Sequence, residues 1–179
     1  MPAADGCDKL DFMADFRARL ESEIPALRRY ARVLLRDPDQ ADDLVQDCLE
    51  RALARHRLWR RPGNFRAWLF TIMHNLHANH VRSASRRPAV VPIDQTDAIG
   101  RPPSQIDAVA ANEIMTALGQ LNADQREVLV LVAVEGLRYA EVAKVLGLPI
   151  GTVMSRLGRA RKRLRQMTEG GEPPLRRVK

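Results

Sequence analysis

The sequence predicts an all-α protein of two small helical domains joined by a flexible, proline-containing linker. Apolar residues recur at helical spacing through most of the chain, and no segment shows the period-two alternation of a half-buried strand. Between Pro88 and Pro103, four prolines and Gly100 interrupt the periodic pattern. The expected segments are an N-terminal domain at 10–87, the linker at 88–103, a C-terminal domain at 104–168 and a disordered tail at 169–179.

Charge is unevenly distributed along the chain, whose net charge is +7. Acidic residues are frequent near the N-terminus, whereas Arg51 to Ile93 and Val142 to Thr168 contain no Asp or Glu. Ordinary exposed helices mix both signs because i,i+4 ion pairs stabilise them. Two separate basic stretches therefore favour two contacts with a nucleic acid, although solvated helix faces are an alternative explanation of such runs.

No stretch is long and apolar enough to cross a membrane, and the N-terminus lacks the basic start and apolar run of a signal peptide. We expect a cytoplasmic protein without membrane insertion. Cys7 and Cys48 form no C-x-x-C pair, which argues against a zinc site or a disulfide framework. Cys48 is expected in the core as a small apolar residue.

Two helices are predicted before the first basic stretch. Pro25 suits a first helical turn and begins a helix that runs to about Arg36. Asp37 then caps a second helix with Pro38 in its first position, ending near Arg57. The buried face of the second helix is predicted to contain Ala41, Leu44, Val45, Cys48 and Ala52.

The outward face of this second helix is acidic. Such a face repels DNA, so it either keeps the domain soluble or binds a basic protein partner. Its positions are Asp39, Asp42, Asp43, Gln46, Asp47 and Glu50.

A third helix is predicted from Phe65 to Ser85, after a loop at 60–64. Aromatic residues are interleaved here with arginines, a combination that suits single-stranded DNA because exposed bases stack on rings while cations follow the backbone. The same aromatics also fit a core stripe, so packing is the alternative role. The aromatics are Trp59, Phe65, Trp68 and Phe70, and the polar residues that project from this helix are Asn75, Asn79 and Arg82.

Three histidines, His74, His77 and His80, recur at every third position of the third helix. They spread over about 120° of its surface, and no carboxylate or thiol lies nearby in sequence to complete a metal site. We therefore expect no metal and no other cofactor. A metal-dependent nuclease is disfavoured because the acid-free segment offers no carboxylate for magnesium, and the chain is not expected to be an enzyme.

The C-terminal domain is predicted to contain four helices. The first follows a cap at Ser104 and runs to about Leu118, and the second begins at Asn122 and ends near Gly136. The last two are separated by Gly147, which permits the left-handed backbone of a tight turn. A short helix, a glycine turn and a longer helix together predict a helix-turn-helix.

The second helix of this motif has an apolar stripe and a polar, basic face. Short hydroxyls permit close approach to the major groove and arginines bind guanine or phosphate, so the polar face is predicted to read duplex DNA. The stripe is Ile150, Val153, Leu157, Ala160 and Leu164. The outward face is Thr152, Met154, Ser155, Arg156 and Arg159, followed by Arg161, Lys162, Arg163 and Arg165 as phosphate contacts.

These segments resemble the extracytoplasmic-function (ECF) group of bacterial sigma factors, the promoter-recognition subunits of RNA polymerase. The resemblance runs from about Leu20 to Met167. DDLVQDCLERAL at 42–53 is similar to the family's polymerase-docking helix, and FRAWLFTIMHNLHANHVR at 65–82 to its promoter-melting and downstream-element helix. GTVMSRLGRARKRL at 151–164 is similar to its upstream-element recognition helix, although many relatives have Arg or Lys where this chain has Met154.

The resemblance implies three sets of site residues. Core RNA polymerase is expected to bind Asp42, Asp43, Gln46, Asp47 and Glu50. Downstream promoter DNA, as a melted single strand, is expected to contact Arg61, Phe65, Arg66, Trp68, Asn75, Asn79 and Arg82. Upstream duplex DNA is expected to contact Thr152, Ser155, Arg156, Arg159, Arg161 and Arg163.

The strings LVQDCLERAL, AWLFTIMHNL and PIGTVMSRL are most similar to the alphaproteobacterial subgroup that drives the general stress response. That similarity implies control by an anti-sigma factor. A stand-alone transcription regulator that binds a palindrome as a dimer is the alternative, and it predicts tight specific binding to free promoter DNA without polymerase.

Overall fold

The computed structural model describes residues 5–35, 37–59, 63–84 and 118–168. Within these ranges the chain forms helices and short connections and no strand, which confirms the all-α prediction. The chain divides into a first unit, Met1–Gln95, and a second unit, Thr96–Lys179, each compact. The predicted linker, the predicted helix before Leu118 and the predicted tail lie outside the described residues. None of the described helices combines the length and apolarity that spanning a bilayer requires.

The described part of the first unit contains three long helices. They are α1 (Asp5–Leu35), α2 (Pro38–Ala54) and α3 (Phe65–Ala84), and each packs against the other two. After α2 the chain makes a short 3₁₀ turn at His56–Leu58. The second helix therefore ends three residues before the predicted Arg57, because the chain tightens into that turn.

Pro25 lies inside α1 rather than at its start, so the predicted beginning of this helix is wrong. A proline in a helix interior removes one hydrogen bond and costs about 3 kcal/mol. The buried face of α1 continues across it, since Phe16, Leu20, Leu27 and Tyr30 are each at most 5% exposed. Burial of large side chains stabilises by about 1.5–3 kcal/mol each, which outweighs the cost of one proline.

The predicted N-cap of α2 is confirmed. Asp37 Oδ1 accepts hydrogen bonds from the backbone N–H groups of Asp39 and Gln40, at 2.9 and 3.1 Å. The bond from the Gln40 N–H is the main reason that the pKa of the Asp37 carboxyl is lowered. An ionised cap at the positive end of the helix dipole fixes where α2 begins.

The predicted apolar stripe of α2 is also confirmed, because all five of its residues are buried. Cys48 Sγ lies 3.6 Å from the carbonyl oxygen of Leu69 in α3. Burial raises the pKa of the Cys48 thiol to about 12. Cys48 is therefore a core residue that packs α2 against α3.

The second unit contains α4 (Ala123–Leu129), α5 (Tyr139–Leu146) and α6 (Ile150–Thr168), with a π-helical turn at Val130–Val134 after α4. Both α4 and α5 pack on α6. Asn122 caps α4 through a 2.8 Å bond from the Gln125 N–H to its side-chain oxygen, as predicted.

Two glycines with positive φ end helical segments of the second unit. Gly136 has a φ of 70° and Gly147 a φ of 63°. Gly147 occupies the left-handed conformation between α5 and α6, where a residue with a Cβ is strained. The predicted helix-turn-helix is therefore confirmed with its glycine turn.

A buried arginine organises the start of the second unit, and the sequence pattern did not reveal it. Arg126 is 6% exposed. Its Nε donates to the carbonyl of Leu118, and its Nη2 donates to that of Leu121, both at 2.8 Å, and to that of Gly119 at 3.4 Å. Carbonyls near a helix end lack helical partners, so one guanidinium satisfies several of them.

Candidate nucleic-acid interface

The acidic face of α2 is exposed, as predicted. Asp43 points to solvent, and the Gln46 amide donates to the Glu50 carboxylate at 3.1 Å. Two of the acids lie close to basic side chains of neighbouring helices: Asp42 to Arg28 at 3.3 Å and Asp47 to the His80 imidazole at 3.8 Å. These pairs are about half exposed and so contribute little stability, which leaves the carboxylates available to a partner.

A groove lies between the C-terminal end of α2, the 3₁₀ turn and α3. It has a volume of about 170 Å³, and none of the described residues that line it is a carboxylate. Its walls combine cations, amides and apolar side chains, the types that hold phosphates, base edges and base faces. The lining residues are Arg51, Arg55, Leu58, Trp68, Thr71, Ile72, Asn75, Leu76 and Asn79.

The groove brings together three residues predicted to contact a melted strand, Trp68, Asn75 and Asn79. It adds Arg51 and Arg55, which the sequence reasoning did not assign to a site. The sequence pattern could have indicated both as site residues. The acid-free stretch begins at Arg51, and residues four apart lie on one face of a helix.

Phe65 is a correction to the predicted DNA contacts. Its side chain is 5% exposed, with ring centroids of Phe16, Trp59 and Trp68 at 5.4, 5.1 and 5.8 Å. The Arg19 guanidinium lies 5.1 Å from its ring. A ring surrounded in this way offers no face to a base, so Phe65 belongs to the core.

The other aromatics of this region divide between the two predicted roles. Phe70 is fully buried, with its ring centroid 4.9 Å from that of Tyr30. Trp59 and Trp68 are half-buried, and their ring centroids are 5.8 Å apart. Packing therefore accounts for Phe65 and Phe70, while Trp68 both packs and faces the groove.

The arginines of α3 also contribute to the fold. Arg66 Nε lies 2.6 Å from the Glu23 carboxylate, which joins α3 to α1. Arg82 is exposed, and its Nε donates to the carbonyl of Ala78 one turn earlier, at 3.1 Å. Arg61 lies outside the described residues. Of the predicted downstream contacts, Asn75, Asn79 and Arg82 are the exposed ones on α3.

The histidines of α3 do not share one environment. His80 is exposed and faces Asp47, whereas His74 and His77 are half-buried. Among the described residues, no group of three metal-ligating side chains comes together.

The recognition helix α6 has a narrower buried stripe than predicted. Val153, Leu157 and Ala160 are at most 2% exposed, whereas Ile150 is 49% exposed. The prediction that Ile150 is buried is wrong, because it is the first residue of the helix and lies a turn before the first covered position. Outside the stripe, the exposed predicted contacts are Ser155, Arg159, Arg161 and Arg163, and Thr152 is half-buried.

Arg156 differs from the other arginines of α6. Its Nη2 lies 2.7 Å from the Asp124 carboxylate in the first turn of α4, and its side chain is 25% exposed. Its guanidinium therefore joins the recognition helix to α4. The sequence pattern predicts Arg156 as a DNA contact and gives no sign of this pair, because the two residues are far apart in sequence.

Two family models match the two units of the chain. The model described as the sigma2 domain of PhyR matches residues 20–74, and the model of sigma-70 region 4 matches residues 111–164. The first match covers the second half of α1, all of α2 and the first half of α3. The second covers α4, α5 and most of α6.

Curated relatives and solved structures match the chain across both units. The chain is 38% identical to the ECF RNA polymerase sigma factor EcfG of Rhodopseudomonas palustris over 79% of its own length and 78% of the relative. It is 35% identical to the ECF sigma factor SigC of Mycobacterium tuberculosis over 73% and 71% of the two chains.

Two solved structures are similar in fold and sequence. The sigma factor RpoE of Bartonella quintana, in complex with the anti-sigma factor NepR, has a TM-score of 0.76 and 35% identity, covering 88% of this chain and 99% of that one. CnrH, in complex with the cytosolic domain of CnrY, has a TM-score of 0.64 and 28% identity, covering 89% and 91%. The alternative of a stand-alone dimeric regulator is not favoured by these relatives. The chain belongs to the ECF family of bacterial RNA polymerase sigma factors.

Proposed function

We propose that this sigma factor binds core RNA polymerase through the acidic face of α2, captures the melted downstream strand in the groove between α2 and α3, and reads upstream duplex DNA with α6. The observation that carries the proposal is the change from acidic to basic side chains at the C-terminal end of α2. Four exposed residues, Asp43, Gln46, Asp47 and Glu50, are followed by Arg51 and Arg55 in a groove whose described lining residues include no carboxylate.

Opening of the promoter follows from differential affinity. A groove with an indole ring, two amides and two guanidinium groups binds an extruded base and its phosphates but has no comparable contact with paired bases. Stacking contributes about 1–3 kcal/mol per base, comparable to the pairing and stacking that a melted base pair loses. The bound single strand therefore holds the melted state open.

Docking is tested by reversing one charge on the acidic face. Asp43→Arg is expected to abolish assembly with core polymerase, because it places a cation where a basic partner is expected. Glu21→Arg on α1 makes the same charge change at another exposed acid and is expected to assemble normally. Co-elution with core enzyme measures assembly, and circular dichroism checks the fold. Normal assembly of Asp43→Arg would show that this face does not bind polymerase.

Strand capture is tested by the amides of the groove. Asn75→Ala with Asn79→Ala is expected to weaken binding of a single-stranded non-template oligonucleotide by holoenzyme, while polymerase assembly is unchanged. Gln120→Ala removes an exposed amide of the second unit and is expected to have no effect. If the double variant binds the oligonucleotide as tightly as wild type, the groove is not the strand site.

We also propose that an anti-sigma factor sequesters this chain and that its release belongs to a stress response. The support is the likeness to RpoE, whose structure was solved with NepR, and the match of the first unit to the sigma2 domain of PhyR. We further propose that the chain acts in the cytoplasm, where its template lies, and that it has no catalytic activity of its own. A pull-down with purified NepR, with and without competing core polymerase, tests the sequestration.

A further inference from the structure

From Ile150 to Gly158, one face of α6 is uncharged, exposed and partly apolar, and basic residues follow it along the helix. Ile150 and Met154 are one turn apart and are 49% and 54% exposed. At 100° per residue they share this face with Gly151, Ser155 and Gly158, all exposed. About half of each apolar side chain is left uncovered, and two adjacent large apolar side chains exposed in this way indicate a contact with something outside the unit.

The two glycines of this face give an independent indication. Glycine costs about 1 kcal/mol relative to alanine inside a helix. A Cβ built at Gly151 or at Gly158 meets no atom within 4 Å, so packing among the described residues does not require glycine at either position. Glycine is selected where another surface must approach the backbone closely. The two glycines therefore indicate that a partner approaches the backbone of α6 closely between Ile150 and Gly158.

The charge around this face identifies the partner. Arg159, Arg161, Lys162 and Arg163 are exposed on the same helix, and residues 150–168 contain no acid. An anionic partner is therefore required, and its central part must be apolar. Duplex DNA meets both conditions, because phosphates flank the major groove and the C5 methyl group of thymine is the apolar group on its floor.

We infer that Ile150 and Met154 are specificity-determining residues that contact thymine methyl groups in the upstream promoter element. The inference rests on the proposed function, since it requires α6 to lie in the major groove. Ser155 and the two glycines let the helix approach closely enough for these contacts. This part of the face has no arginine or lysine that could donate to guanine, so we expect thymine methyl groups to be its source of sequence discrimination.

The test uses holoenzyme assembled from the full chain and core polymerase. A library with a randomised upstream element is selected for binding, and each thymine of the selected element is then replaced by deoxyuridine. This change keeps base pairing and removes only the methyl group. We expect about a fourfold loss of affinity at each contacted thymine, as burial of one methyl-sized group gives. Met154→Ala is expected to remove this loss at one thymine, and Ile150→Ala at another.

Met167→Ala is the matched control, because it removes the same side chain from the last turn of α6. It is expected to retain the full difference between thymine and deoxyuridine. Equal binding of the two duplexes at every position would overturn the inference and assign the apolar face to a protein partner. The inference would also be overturned if both alanine variants kept the full difference in affinity between thymine and deoxyuridine. Failure to select any upstream element would instead contradict the proposed function itself.

Discussion

The two acid-free helices, α3 and α6, look alike in composition and are used differently. In α3, five residues are buried on a broad face, Phe65, Leu69, Phe70, Ile72 and Met73. In α6, a narrow stripe of three residues is buried, Val153, Leu157 and Ala160. The broad face of α3 packs aromatic rings against the rest of the unit, and Arg66 pairs with α1. The narrow stripe of α6 leaves most of its cations exposed. The width of the buried face therefore decides how many basic and aromatic side chains remain for DNA.

The largest effect on stability is expected at Phe65, an aromatic residue of α3 that lies in the core. Phe65→Ala is expected to destabilise the first unit by about 3–5 kcal/mol, because it leaves a cavity among packed rings. Both tryptophans of the chain, Trp59 and Trp68, lie in this unit, so their fluorescence during urea unfolding reports on it alone.

Leu58→Ala is the control for Phe65, since Leu58 is a neighbouring apolar residue that is 65% exposed. It is expected to change stability by less than about 0.5 kcal/mol. The core role of Phe65 would be contradicted if Phe65→Ala unfolded at the same urea concentration as wild type while strand binding was lost. Phe65 would then be a DNA contact.

The next largest effect on stability is expected at Arg126, a buried cation that stabilises the fold of the second unit. Arg126→Ala leaves buried carbonyls without a donor and is expected to cost about 2 kcal/mol. Amide hydrogen exchange in α5 and α6 measures the loss. Arg126→Lys keeps the charge but not the forked geometry and is expected to recover only part of it. A loss no larger than that of the exposed Arg161→Ala would contradict this role.

A smaller effect is expected at Arg156, which, like Arg66 of α3, is paired with a carboxylate of another helix. If the Asp124 pair orients Arg156 towards DNA, Asp124→Ala and Arg156→Ala each lower affinity for the selected upstream element by roughly tenfold, and the double variant loses little more. Holoenzyme binding to this duplex is the measurement. Tighter binding by Asp124→Ala would show instead that Asp124 holds the guanidinium away from DNA.

The smallest effect is expected at Arg163, an exposed cation of α6. Arg163→Ala is expected to weaken binding a few-fold for every sequence alike and to lower the slope of log affinity against log salt by about 0.9. Stability is expected to stay within about 0.5 kcal/mol of wild type. Loss of affinity for one base sequence but not for others would show that Arg163 reads a base.

Features set by neighbouring residues were predictable from the sequence. The caps at Asp37 and Asn122 and the turn at Gly147 depend on a few adjacent positions, and each is where the pattern predicts it. The buried stripe of α2 followed in the same way from its spacing. The ECF resemblance, carried by three local segments, is confirmed by relatives that span both units.

Features that depend on distant residues were not predictable. Pro25 is a strong local stop signal, but the apolar stripe of α1 that overrides it is stabilised by packing against α2 and α3. The pair of Arg156 with Asp124 joins residues of different helices, as does that of Arg66 with Glu23. The base contacts of α3 and α6, and the docking role of α2, stay predictions that the experiments above address.

The buried thiol between α2 and α3 has a consequence for how this sigma factor responds to oxidants. Burial raises the pKa of the Cys48 thiol to about 12, so the thiol stays protonated at neutral pH. Peroxides and electrophiles attack the thiolate, so this sulfur reacts slowly even under strong oxidation. A redox signal that changed transcription by this chain would have to act elsewhere than at Cys48.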